Sequence, residues 1–69
     1  MTQEVVRTLQ EVVSGLADDT FLLPSCRLSA INSITGLVRG NKFDLTPTER
    51  GELLVSLIGK LSRVTSETL

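Results

Sequence analysis

The sequence predicts an all-α protein: three helical segments, the last two forming a C-terminal hairpin, packed as a homodimer. Three observations point there. Apolar residues recur at helical spacing in three separate stretches. Helix stop and start signals separate the second stretch from the third. Finally, 41% of the 69 residues are apolar and mean hydropathy is +0.19. A chain this short has little interior, so part of its aliphatic surplus is expected to lie against a second copy. The length fits a single helical domain spanning residues 1–69.

The first segment, TQEVVRTLQEVVSGLA, sets Val5, Leu9, Val12 and Leu16 on one stripe, widened by Val6 and Val13. Gly15 weakens its end. Asp18 and Asp19 oppose the helix dipole there, so the helix is expected to stop near Leu16. In the connector DDTFLLPS, Asp19 or Thr20 is expected to cap a single turn. Pro24 either breaks the chain or opens the next helix. Phe21, Leu22 and Leu23 are expected to plug the bundle end, with partner contact as the alternative.

The second segment, SCRLSAINSITGLVRG, places Leu28, Ile31, Ile34 and Val38 on one face, with Ala30 and Leu37 beside them. Ser25 is its expected cap. Gly40 and Asn41 tolerate the left-handed conformation that stops a helix. The third segment, LTPTERGELLVSLIGKLSRV, opens on the strongest local signal. Thr46 stands at the N-cap, Pro47 at the first helical position, and Glu49 completes a capping box. Leu54, Leu57, Ile58, Leu61 and Val64 form its stripe, with Leu53 and Val55 off centre. Apolar residues on more than one face suit a helix buried on two sides, as at a dimer interface. The expected core and dimer residues are therefore Leu28, Ile31, Ile34, Val38, Leu54, Leu57, Ile58 and Leu61.

Charge is uneven along the chain. Residues 1–20 carry net −3, residues 21–43 net +3 and residues 44–69 net −1. The cations Arg27, Arg39 and Lys42 make the middle third a basic block inside an acidic protein of pI about 5.2. The acidic balance argues against general nucleic-acid binding. One cysteine, Cys26, has no internal disulfide partner and reads as a small apolar core residue of a cytoplasmic protein. The N-terminus lacks a basic region followed by a long apolar run, and no apolar stretch is long enough to span a membrane.

The stretch GLVRGNKFDLTPTERG invites comparison with a phosphate-binding loop. Asn41 separates Gly40 from Lys42, and Phe43 occupies the place of the Ser or Thr that holds magnesium. It is a helix stop, a cationic bend and a helix start. Without histidine the chain lacks the usual general base and the commonest metal ligand, and Cys26 has no histidine to activate it. No catalytic, cofactor or metal residue is assigned, and the protein is not expected to be an enzyme. A helix-turn-helix reading meets a connector from Gly40 to Thr46, longer than the usual three or four residues, and a would-be recognition helix led by Glu49 and Glu52.

A binding surface remains. Its expected partner-binding residues are Arg39 and Lys42 at the bend, with Lys60 and Arg63 on the last helix. In an antiparallel hairpin the bend lies far from Arg63 of the same chain, and a second chain is expected to bring Lys60 and Arg63 nearer. The pattern LSAINSITGLVRGNKFDLTPTERGELLVSLIGKLSRV resembles the helical hairpins of small phage and prophage proteins. In length and format the chain is also similar to phage-encoded anti-activators of quorum sensing in Pseudomonas. That resemblance implies a small helical dimer that occupies the DNA-binding region of a LuxR-type regulator and also binds a pilus-assembly ATPase. It transfers no functional residue. The expected function is a small dimeric protein-interaction module, a phage or mobile-element inhibitor of a host protein such as a transcription regulator. The alternatives are a small dimeric DNA-binding repressor and a helical assembly chaperone.

Overall fold

Three helices account for most of the chain in a computed structural model that describes residues 2–67. They are α1 (Thr2–Asp18), α2 (Pro24–Arg39) and α3 (Pro47–Glu67). The bundle runs up, down and up. Arg27 at the start of α2 meets Glu67 at the end of α3, and Arg63 of α3 meets Asp18 at the end of α1. Thus α2 is antiparallel to both neighbours, while α1 and α3 are parallel. The molecule measures 35 × 17 × 15 Å. At 1.5 Å per residue α3 is about 32 Å long, so it spans nearly the whole rod.

The helix ends follow from local chemistry. At the start of α3, Thr46 Oγ1 accepts the Glu49 N–H (3.2 Å), and Glu49 Oε1 accepts the Thr46 N–H (3.1 Å). The reciprocal bonds satisfy two donors that a bare helix end leaves open. At the end of α2, Asn41 takes the left-handed conformation (φ 56°), not Gly40 (φ −79°). The Asn41 N–H reaches the Val38 carbonyl (3.0 Å) and the Lys42 N–H reaches that of Leu37 (2.9 Å), which is a Schellman ending. Asn41 Oδ1 also accepts the Leu45 N–H (3.0 Å) and so stitches the connector shut. Leu45 enters the core directly after it.

Two ends differ from expectation. Helix α1 continues past Leu16 to Asp18. Ala17 is buried and Asp18 finds Arg63, so tertiary contacts outweigh the dipole penalty. Helix α2 begins at Pro24 with Leu23 as N-cap and no side-chain cap bond, so Ser25 does not cap it. Proline at the first position needs no N–H partner, which lessens the demand for one.

The core comprises Val13 and Ala17 of α1, Ile31 and Val38 of α2, Leu45, and Leu53, Leu57 and Val64 of α3. Leu28, Ile34, Leu54 and Leu61 pack around it, half-buried. On α3 the buried stripe is centred on Leu53, not Leu54, and Ile58 is 52% exposed rather than core. Consecutive leucines offer two stripes one residue apart, and a helix with two neighbours covers one fully. Val12 of α1 is likewise exposed. Cys26 is exposed as well, on the solvent side of α2's first turn, and not part of the core.

Each chain closes this core by itself. Its accessible surface is 4513 Å², close to the roughly 4,250 Å² typical of a compact 7.5 kDa monomer. The apolar surplus stays outside, as Val12, Phe21, Leu22, Leu23, Leu37, Val55 and Ile58. No helix among the described residues is long and apolar enough to cross a membrane.

A candidate protein-binding surface

The α1–α2 connector is built around a buried arginine. The Arg27 side chain is about 4% exposed. Its Nη1 donates to the Ala17 carbonyl oxygen (2.9 Å) and its Nε to the Leu22 carbonyl oxygen (3.2 Å). Its Nη2 meets Glu67 Oε2 at 2.7 Å. Guanidinium has donors in a rigid planar fork and stays charged, which suits it to three acceptors at once. One of those acceptors ends α1, where a cation also complements the helix dipole.

The arginine occupies the end of the bundle, where Phe21–Leu23 were expected to sit. They turn outward instead. Phe21 is 98% exposed, Leu23 is exposed, and Leu22 is marginally so. Their backbone is nonetheless tied down. The Asp19 side chain accepts the Phe21 N–H (3.0 Å), and the Asp19 carbonyl accepts the Leu22 N–H (3.2 Å). Arg27 holds the Leu22 carbonyl from the other side. An ordered turn therefore carries an aromatic ring into solvent.

The four expected partner-binding cations do not form one patch within the chain. Arg39 and Lys42 are exposed at the α2–α3 bend. Lys60 is half-buried along α3. Arg63 is at the opposite end, paired with Asp18, so it is already engaged. The basic block of the sequence is dispersed in the same way. Arg27 is buried beside Glu67, about 18 Å along α2 from Arg39. The signal for Arg27 lay in its spacing: Arg27, Ile31, Thr35 and Val38 follow one helical stripe, and all four are buried. Thr35 meets the polar requirement locally, donating its hydroxyl to the Ile31 carbonyl (2.8 Å).

Two shallow grooves flank the other end of α1. One, between α1 and α3, is of mixed character and is lined by Val6, Arg7, Gln10, Glu49 and Glu52 among others. The second, lined by Val5, Leu9 and Phe43, is apolar. Among the described residues no group of three or more His, Cys, Asp or Glu side chains is placed to hold a metal ion. Compared with known proteins, the chain matches no family model, no curated relative and no solved structure.

Proposed function

We propose that this chain is a small, dimeric protein-binding module that docks on its partner through the Phe21–Leu23 turn. One observation carries the reading: an aromatic side chain 98% exposed on a backbone held from both sides. Covering such a side chain contributes about 1.5–3 kcal/mol, and water holds that contribution back until a partner arrives. A turn already ordered loses less freedom on binding. Aromatic residues are enriched at the cores of interfaces for these reasons.

In its fuller form the reading makes the chain an inhibitor that occupies a bacterial regulator, as the phage-protein resemblance implies. Arg39 and Lys42 support a second contact for an acidic surface, because both are exposed at the free bend. The repressor reading gains less. The N-terminal part of α3 offers phosphates Arg50 beside Glu49 and Glu52.

The test compares affinity capture by the parent chain, Phe21→Ala with Leu23→Ala, and Arg39→Glu with Lys42→Glu. The turn variant is expected to lose a protein that the parent retains, with its helical circular dichroism unchanged. If the turn variant captures the same proteins in the same yield, the turn is not the docking site.

A further inference from the structure

The outward face of α3 breaks the usual rule for a surface helix, in which charged residues lie opposite the core. All six charged residues of α3, Glu49, Arg50, Glu52, Lys60, Arg63 and Glu67, fall within an arc of about 160° that also contains Leu53 and Leu57. At 100° per residue, an arc of roughly 200° on the far side carries no charge at all. Along that arc run Gly51, Val55, Ile58 and Ser62, at i, i+4, i+7 and i+11, with Leu54 and Gly59 beside them. Val55 is 72% exposed and Ile58 52%. A Cβ built on Gly51 or Gly59 meets nothing within 4 Å, so the helix backbone there is open to a neighbour.

We infer that this face is where two copies of the chain meet, α3 against α3, antiparallel across a two-fold axis between Ser56 and Leu57. The inference deepens the homodimer part of the proposed function and does not involve the Phe21 turn. Three features select a second copy as the occupant. First, an isologous contact sets a surface against its own image, so any charge near the axis meets its like; this face has none. Second, the sequence matches itself in reverse about that axis. Val55 falls opposite Ile58 of the second copy and Gly51 opposite Ser62, while Gly59 leaves room on the edge where the second copy's Val55 lies. Large meets large at the centre and small meets small at the ends. Third, the scale fits a chain that already closes its own core. The stripe from Gly51 to Ser62 is about 17 Å long, which places the contact at the low end of specific interfaces. A reversible, concentration-dependent dimer follows.

The experiment is sedimentation equilibrium on the whole chain across low to high micromolar loading, for the parent, Val55→Lys with Ile58→Lys, and Gly59→Leu. A monomer–dimer equilibrium is expected for the parent, weakened on the order of tenfold or more in both variants. Val55 and Ile58 are solvent-facing, so circular dichroism is expected to stay helical. Register is read by disulfide trapping in a Cys26→Ser background. Val55→Cys mixed with Ile58→Cys is expected to cross-link efficiently, and Gly51→Cys with itself poorly, because its two copies lie about 16 Å apart along the axis. A parent that remains monomeric throughout overturns both this inference and the homodimer reading. A parent dimer that the lysine variants leave intact overturns this interface alone. Efficient Gly51→Cys self-trapping overturns the antiparallel register.

Discussion

Arg27 Nη1 donates to the Ala17 carbonyl oxygen over 2.9 Å, joining the first turn of α2 to the last of α1. The same guanidinium holds Leu22 and Glu67. Arg27→Ala therefore leaves the buried Ala17 carbonyl and the part-buried Leu22 carbonyl without this donor, and a void at the bundle end. A loss of about 2–4 kcal/mol is expected in urea unfolding. Arg27→Lys restores the charge but not the fork and is expected to recover under half of that loss. A change below about 0.5 kcal/mol for Arg27→Ala would mean that the arginine is incidental.

The two ion pairs differ in burial. Asp18 and Arg63 are both exposed, so Asp18→Asn is expected to cost under about 1 kcal/mol, with the loss shrinking as salt rises. Glu67 is the counter-charge of a buried guanidinium, so Glu67→Gln is expected to cost more, about 1–3 kcal/mol, with less dependence on salt. A double-mutant cycle on Asp18 and Arg63 gives the coupling directly.

Asn41 combines two tasks, a left-handed backbone and a bond to the Leu45 N–H. Asn41→Ala gives up both and is expected to cost about 1.5–3 kcal/mol. Asn41→Gly keeps the backbone freedom and is expected to cost about 0.5–1.5 kcal/mol. The order of the two midpoints in chemical denaturation checks the assignment; equal losses would place the whole effect in the side-chain bond.

Gly36 lies within α2, where a Cβ meets nothing within 4 Å, and its φ is not positive. Gly36→Ala is expected to stabilise the protein by about 0.4–1 kcal/mol, or several degrees in Tm for a domain this small. At the other end of the scale, Thr46→Ala removes the N-cap of α3 and is expected to cost about 0.5–2 kcal/mol.

Phe21→Ala makes the sharpest contrast between stability and binding. The ring is fully outside, so thermal unfolding is expected to shift by no more than the equivalent of about 0.5 kcal/mol. A larger loss would mean that the ring packs on the bundle in solution.

Much of the fold was legible because it is local. The capping box is written within four residues, from Thr46 to Glu49, and forms as the pattern predicts. The three helices were visible in their apolar period, and the helix-stopping pair Gly40–Asn41 does end α2, with Asn41 taking the left-handed conformation. What escaped was non-local. Arg27 looked like one more cation of a basic block, because its acceptor at Ala17 belongs to another helix. Once its side chain fills the bundle end, Phe21–Leu23 have nowhere to plug. The same limit applies to the cations proposed for a partner. Local sequence places Arg63 on α3, but only the packing of α1 beside it reveals Asp18. On α3, period alone could not choose between the stripe of Leu53 and that of Leu54; packing against α1 and α2 chose.

Leu22, Ala17 and Glu67 come from three parts of the chain and converge on one planar cation. The outward loop and the final helical turn are thus mechanically one piece. Fraying at the far end of α3 would slacken the scaffold under the aromatic ring, although the two never touch. Amide exchange should register that linkage as a shared opening of residues near 22 and near 64.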